Sequence, residues 1–593
     1  MSPGLVHTKS QLRLRCGGRL PHRKSHDALR TQTYPATWVV LGLVLIHGWG
    51  CGQSRDSATP PPVSQAGAAG TRVAAPSRGV SPGEAETAAT VLDGPQLFGR
   101  YCAACHGENG DGNGLAARFL YPKPRNFREG QFRLVTTTNR VPSDEDLMRV
   151  VVRGMPGSAM FPLGHLGEAE RKELVTHVRR LVRGGLEDRL RREAKEFGEE
   201  VVPEELAKTL DSRMRPGSVL EIPRDLPAPA SESVARGREL YLKQCATCHG
   251  NSGKGDGVQE QHDESGVPIR PRDFTRGVFK GGREREQLYA RILLGVPGTP
   301  MPASPNFKPA EVGDLINYIQ SLSDASTPAK VEHHRARLTA MRAKTTLPEA
   351  IPDGQWDTVT SSPIVVSPLW WRDFGDPDLH VQAVHDGQTL AIRLTWRDET
   401  RDMQAIRPQD FPDMAALQLF KGEHEPFLGM GASDGSVDVW LWNSAAQADL
   451  EQYADVDTAY PHMAVDQYPF EQGTLGPRTH PTDRQSPEFV TAWAAGNPRS
   501  DPSHALPGCN LQAKGFGSLT FRPRISQVTS AHGGWKDGRW TVVVRRPLQV
   551  PPEAGLELGG SDRCSIAFAL WDGAAHDRDG QKLVSIWHDL ELE

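Results

Sequence analysis

The chain has 593 residues, a length of about four domains at about 150 residues each. A net charge of −5 and a pI near 6.5 exclude the basic surplus of a general nucleic-acid binder, and 37 % hydrophobic residues suit several packed cores rather than disorder. The 59 glycines and 47 prolines, about 18 % of the chain against an average of about 12 %, predict many turns and linkers.

Residues 1–35 are basic and irregular, and an apolar run follows from Ala36 to Ile46. That run is short for a membrane-spanning helix and suits the core of an export signal. Cys51, after Gly50 and before Gly-Gln-Ser, resembles the cleavage site of a bacterial lipoprotein. A cleaved signal, an uncleaved anchor and a start codon further downstream are the alternatives. Residues 1–51 are therefore expected to be an export leader that places the chain in the periplasm, anchored by a lipid or an N-terminal segment. Residues 52–92 are rich in Ala, Pro, Ser and Gly and read as a flexible linker.

Eight cysteines are too few for a disulfide scaffold in a chain of this length. Four of them form two pairs, Cys102-Ala103-Ala104-Cys105-His106 and Cys245-Ala246-Thr247-Cys248-His249. C-x-x-C-H is the attachment motif for c-type haem: two thiols one helical turn apart add to the two porphyrin vinyls, and the adjacent histidine lies beneath the iron. A zinc site or a redox dithiol is the competing reading, but zinc needs two more Cys or His at tight spacing. Cys102, Cys105, Cys245 and Cys248 are thus expected to hold two covalent haems, with His106 and His249 as iron ligands.

The surroundings repeat too. Gly107, Gly110, Gly112 and Gly114 match Gly250, Gly253, Gly255 and Gly257 at equal offsets from the histidine, and Pro124-Arg125-Asn126-Phe127 matches Pro271-Arg272-Asp273-Phe274. Gly154-Met155-Pro156-Gly157-Ser158-Ala159-Met160 aligns with Gly295-Val296-Pro297-Gly298-Thr299-Pro300-Met301. Met155 faces Val296 in this alignment, whereas Met160 faces Met301. Met160 and Met301 are therefore the expected sixth ligands, 54 and 52 residues after their histidines; two merely packing methionines are the alternative. Leu97/Phe98 and Leu240/Tyr241 precede the Cys pairs, and Leu174, Val178, Leu181 and Leu315, Ile319, Leu322 follow at helical spacing. Each repeat resembles a class I cytochrome c domain, at 93–185 and 233–325. His/Met ligation favours Fe(II) and fills the sixth position, which points to electron transfer rather than catalysis. His165, His177, Arg179 and Arg180 read as solvated faces.

Residues 186–232 are charge-dense at helical spacing and read as a surface helix or spacer. Residues 326–350 read as a linker helix with His333 and His334 exposed. From about 351 the period changes to 2. Leu379–Val384 and Leu390–Trp396 read as a hairpin around His385-Asp386-Gly387-Gln388. Val437–Trp442, Trp540–Val544 and Ser565–Trp571 read as further strands. The expected architecture is multidomain: two all-α cytochrome c domains followed by an all-β sandwich over 351–593. Residues 445–512 read as a long polar insertion. Cys509 and Cys564 are a possible disulfide pair.

The third region resembles the ethylbenzene dehydrogenase-type haem-binding domain, found as the gamma subunit of periplasmic molybdenum enzymes. The resemblance is carried by Phe411–Gln418, Pro426–Gly431, Val439–Trp442, Phe568–Gly573 and Asp579–Trp587. It implies a non-covalent b haem held by a methionine and a lysine. On the matching positions these are Met430 and Lys582, with Lys514 as the alternative lysine; a sandwich without haem is the other reading. A lysine ligand must be neutral, so it belongs in an apolar pocket.

Together these features imply a periplasmic electron-transfer protein with two c haems and one b haem, rather than an enzyme by itself. The resemblance implies a molybdenum oxidoreductase as one partner, of nitrite or nitrate type for example, and a soluble or membrane cytochrome as the other. A multihaem peroxidase or oxidase and a haem-based redox sensor are the alternative functions. No nucleic-acid partner is expected.

Overall fold

The structure is a computed structural model that describes residues 92–593, except 264–265, 325, 328–330, 373–375, 423, 433–434, 453, 455, 463–505 and 560–562. The expected leader, the linker and Cys51 lie outside the described residues. So does most of the expected polar insertion 445–512, namely residues 463–505.

The first repeat opens with α1 (Gly94–Tyr101), whose Asp93 cap accepts the Gln96 amide hydrogen at 2.9 Å. A single turn, α2 (Ala103–His106), carries the Cys pair and the histidine. After α3 (Asp144–Arg153) comes α4 (Glu168–Phe197), which packs on α1. Leu97, Phe98 and Leu174 are buried together at that crossing, with Val178 and Leu181 against them. The second repeat has the same order: α6 (Ser231–Gln244), α7 (Ala246–His249), α8 (Arg285–Leu294) and α9 (Pro309–Ser321), counting α5 (Pro203–Met214) between the two. Tyr241, Leu315 and Ile319 are buried where α6 crosses α9. Gly237 lies at this crossing, and a Cβ there would collide with the Asp314 carbonyl oxygen. Only glycine lets the two backbones come so close.

The expected spacer is more closely bound than its charge density suggested. Helix α4 runs on to Phe197, beyond the expected boundary, and α5 turns back on it. Leu206 and Leu210 of α5 are buried with Val182 and Leu186 of α4.

The last region is built on strands. They are β1 (Arg337–Arg342), β2 (Ser362–Ile364), β3 (Ser367–Pro368), β4 (Leu379–His385), β5 (Thr389–Arg397), β6 (Met414–Phe420) and β7 (Val437–Asn443). They continue with β8 (Gly508–Ala513), β9 (Thr520–Phe521), β10 (Ser530–Lys536), β11 (Arg539–Pro547), β12 (Arg563–Trp571), β13 (Leu583–Val584) and β14 (His588–Leu592). The expected hairpin is β4–β5, with His385 opposite Leu390.

All these strands belong to one hydrogen-bonded sheet, with main path β10-β11-β5-β4-β1-β14-β12-β6-β7-β8-β9. The sheet folds over on itself. Trp396 and Trp540, on β5 and β11, meet Trp442 of β7, with centroids 6.1 and 4.9 Å apart. Leu394, Val542, Leu417 and Phe568 are buried in the same core. The two faces pack as in a sandwich, but β1 and β14 join the layers, so the sheet is continuous where two separate sheets were expected.

Three further expectations are corrected here. Arg337–Arg342, assigned to a linker helix, is a strand paired in parallel with both β14 and β4. Leu338 and Ala340 alternate into the core, a period-2 pattern hidden among charged residues. His333 is half-buried rather than exposed, and desolvation and its neighbour His334 push its pKa down to about 4. Cys509 and Cys564 are both buried and are not joined by a disulfide. They lie on β8 and β12, with β6 and β7 between them. Three strand steps of about 4.8 Å exceed the span of about 7 Å that a disulfide allows.

Candidate haem sites

The first site forms where α2 meets the loop after α3. An apolar cavity of about 380 Å³ is lined by Cys102, Cys105, His106 and Met160, with Leu120, Phe127, Leu147, Val151 and Leu174 among its walls. The sequence-predicted attachment and ligand residues of the first repeat therefore surround one space.

Three features fit this space to haem. His106 Nδ1 lies 2.9 Å from the Arg125 carbonyl oxygen. Donation from Nδ1 leaves Nε2 unprotonated and available to iron. The His106 ring stacks on Phe127 at 4.4 Å, and burial lowers its pKa. The thiols of Cys102 and Cys105 are free, and burial pushes both up to about 12.

The second repeat copies this arrangement. His249 stacks on Phe274 at 4.7 Å, and Phe274 on Phe279 at 5.7 Å; the first repeat has Phe127 on Phe132 at 5.8 Å. Burial pushes His249 down to about 4. Gly112 and Gly255 hold φ of 80° and 74°, and a Cβ at either would press on the carbonyl oxygen of Pro124 or Pro271.

The methionine loops match as closely. The Met155 amide donates to the Met160 carbonyl at 2.8 Å, and Val296 to Met301 at 3.2 Å. Ser158 and Thr299 hydroxyls donate to the carbonyls of Met155 and Val296 at 2.6 and 2.7 Å. The same hydrogen-bonded loop thus presents Met160 and Met301. Met155 also lines the first cavity.

The third site lies on the outer face of the sheet. Ala416, Val437, Val439, Leu511, Ala513, Ala567, Trp571 and Trp587 form an apolar cluster on that face, with Met430 packed against it. Met430 sits at φ 79°, a conformation a long side chain rarely adopts, and its carbonyl accepts the Gly515 amide hydrogen at 2.9 Å. The Lys582 ammonium stands 4.6 Å from the Trp571 ring centroid. Burial pushes Lys582 down to about 8, against the carboxylates of Asp579 and Asp577. Lys514 is exposed. Met430 and Lys582 therefore border one apolar surface, as a haem held by a thioether and a neutral amine requires.

The cytochrome and β regions share walls. Pro426, Phe427, Leu428, Ile586 and Trp587 line the first cavity from the β side, together with His333, His334 and Arg335. Phe119 of the first repeat packs on Phe516 at 5.5 Å and against Gly580. Tyr121 pairs with the segment Leu369–Trp371 through two backbone hydrogen bonds. His165 is exposed as expected, and it also borders the cavity, 4.0 Å from Glu425. His177 packs on Phe98 at 5.0 Å, while Arg179 pairs with Asp144 on the surface. Local periodicity missed His333 and the 426–428 wall because they are covered only when the regions dock.

Comparison with known proteins matches three family models in tandem. Residues 89–178 match the model for cytochrome c oxidase, cbb3-type, subunit III, residues 234–323 that for cytochrome c, and residues 357–583 that for ethylbenzene dehydrogenase. The chain is 45 % identical over 216 residues to the chlorate reductase subunit gamma of Ideonella dechloratans, covering 36 % of this chain and 64 % of that one. It is 27 % identical over 244 residues to the dimethylsulfide dehydrogenase subunit gamma of Rhodovulum sulfidophilum, covering 40 % and 69 %. It is 26 % identical over 212 residues to a Haloferax mediterranei protein provisionally named a respiratory nitrate reductase haem subunit, covering 35 % and 54 %. The chain thus spans between about half and two thirds of these relatives' lengths. Residues 89–178 and 234–323 are accordingly cytochrome c-type domains, and residues 357–583 are an ethylbenzene dehydrogenase-type domain.

Proposed function

We propose that the chain is a cytochrome subunit that carries single electrons between a molybdenum oxidoreductase and a respiratory carrier. The observation that carries this reading is the shared wall: one face of the first-repeat cavity is formed by Pro426–Leu428, which lead directly into Met430. The second repeat in turn touches the Met160 loop, where Arg272 donates to the Gly157 carbonyl at 2.9 Å. The three candidate sites therefore follow one another in contact, in the order second repeat, first repeat, β domain.

The bound haems supply reversible one-electron chemistry at iron. The chain's residues fix where that chemistry takes place. The two Cys pairs are the attachment points of two c haems. His106 with Met160, and His249 with Met301, are their ligands. Met430 and Lys582 are the ligands of one b haem, with Lys514 disfavoured by its exposure. Two relatives named as gamma subunits, of dimethylsulfide dehydrogenase and of chlorate reductase, support a molybdenum enzyme as partner. A nitrite- or nitrate-converting enzyme is the first partner to try. Covalent haem attachment supports export to the periplasm, with Cys51 as the lipid anchor.

Affinity capture of the intact protein from its own cells, with molybdenum measured in the eluate, tests the partner. About one molybdenum per chain is expected. Capture of other redox proteins with no molybdenum contradicts the reading.

A further inference from the structure

A short segment of the first repeat, residues 119–121, touches both loops that carry Met430 and Lys582. Lys582 follows a tight turn, closed by the Gln581 amide donating to the Arg578 carbonyl at 2.8 Å. The Trp571 indole donates to the Asp579 carbonyl at 3.2 Å and ties that turn to the apolar face. Phe119 lies against Gly580 of the turn so closely that a Cβ there would come within 2.6 Å of its Cγ. The same ring meets Phe516, with centroids 5.5 Å apart. Phe516 follows Gly515, whose amide donates to the Met430 carbonyl at 2.9 Å. One half-buried ring of the first repeat therefore bridges the loop bonded to Met430 and the turn that leads into Lys582.

Tyr121 extends the grip. Its amide donates to the Leu369 carbonyl at 3.1 Å, and the Leu369 amide donates to the carbonyl of Lys582 itself at 3.0 Å. The Trp371 amide donates to the Tyr121 carbonyl at 2.8 Å, and the Tyr121 and Trp370 rings stack at 5.4 Å. Leu120, between Phe119 and Tyr121, is buried and lines the first cavity. The segment is thus anchored on the c-haem side while both of its neighbouring side chains hold the β domain.

We infer that the first cytochrome domain clamps the b-haem site, with Phe119 as the residue that keeps its two ligand loops together. This rests on the reading that Met430 and Lys582 hold a b haem. A non-covalent haem leaves when its ligand loops open, and the contacts that join those loops set how often they open. Phe119 is a positioning residue in this scheme: it acts on the haem through Gly515–Phe516 and the 578–581 turn. Release of haem b is then controlled by docking of a domain whose own haem is covalent and stays in place.

The test is haem transfer from the intact protein to excess haem-free myoglobin, comparing the unaltered chain with Phe119→Ala, Phe119→Tyr and Gly580→Ala. Haem b and haem c contents are measured first by pyridine haemochrome. Absence of haem b from the unaltered protein would refute the Met430–Lys582 reading; its presence isolates the question of the clamp. Phe119→Ala should release haem b about tenfold faster, the loss of aromatic packing being read as a rate. Gly580→Ala, which displaces the ring, should also speed release, and Phe119→Tyr, which keeps the ring, should not. The c-haem content and both c potentials should stay in place in all three. Equal release rates in Phe119→Ala and the unaltered protein overturn the inference, as does faster release accompanied by shifted c potentials, which marks a general loosening. If Phe119→Ala does not fold, Gly580→Ala decides on the same two criteria.

Discussion

The Lys582 ammonium and the Trp571 ring stand 4.6 Å apart on the apolar face that Met430 borders. The aromatic face accommodates a cation, yet burial draws the amine towards its neutral form. A neutral amine has a lone pair to offer iron, and burial moves Lys582 in that direction. Lys582→Met should therefore abolish the b-type signal in a pyridine haemochrome assay and leave the c-type signal intact. Lys514→Met should change neither; loss of haem b in that variant instead would reassign the ligand.

The two methionine loops share every hydrogen bond named above, so the two variants should behave alike. Met160→Ala and Met301→Ala should each lower the potential of one c haem, by about tenfold or more in its reduction equilibrium constant (59 mV per tenfold for one electron). Met155 lines the same cavity as Met160 but has valine as its counterpart. Met155→Ala should leave the potential in place, and redox titration of the three variants settles which thioether binds.

Gly237 sits where α6 crosses α9, and a methyl there collides with the Asp314 backbone. Gly237→Ala should cost about 1–3 kcal/mol, read as an earlier denaturant midpoint at the Soret band. Gly99, in α1, has nothing within 4 Å of its added Cβ. Gly99→Ala should be neutral or stabilise by up to about 1 kcal/mol.

Asp398 and Asp413, just after β5 and just before β6, bring carboxylate oxygens within 4.8 Å of each other. Burial, with Asp413's like-charged neighbour Asp398, raises Asp413 to about 7; burial, then Asp572 and Asp402, raises Asp398 to about 6. A carboxyl whose folded pKa exceeds its unfolded value stabilises fully below the unfolded value, near 4. That contribution is lost as the pH rises through about 6 to 7. Asp398→Asn removes one of the two charges. Its stability relative to the unaltered protein should rise by about 1–2 kcal/mol between pH 5 and pH 8, on about 1.4 kcal/mol per unit. Denaturant titrations at the two pH values check the sign.

What the sequence made legible was local. Cysteine spacing, the repeated glycines and the two Met loops are short motifs that can be matched between the repeats without knowing the fold, and the β4–β5 hairpin closes through the three residues 386–388. What escaped was long-range. Strand β1 pairs with β14 some 250 residues later, and its alternation was masked by arginines whose stems lie outside. His333 carries no local sign of burial, because the β domain and the first cytochrome domain enclose it jointly. The contact of Arg272 with Gly157 left one signal, the arginine repeated in Pro-Arg-Asn-Phe and Pro-Arg-Asp-Phe. Nothing in that repeat shows that the second arginine reaches into the first domain.

The central claim is that this chain conducts electrons and leaves no c-haem iron open for catalysis. Addition of carbon monoxide to the fully reduced intact protein tests it most directly, with the c-type absorption bands as the readout. Bands that do not move are the predicted result, since Met160 and Met301 fill the sixth positions. A carbon monoxide adduct at either c haem would contradict the account and favour a peroxidase or oxidase.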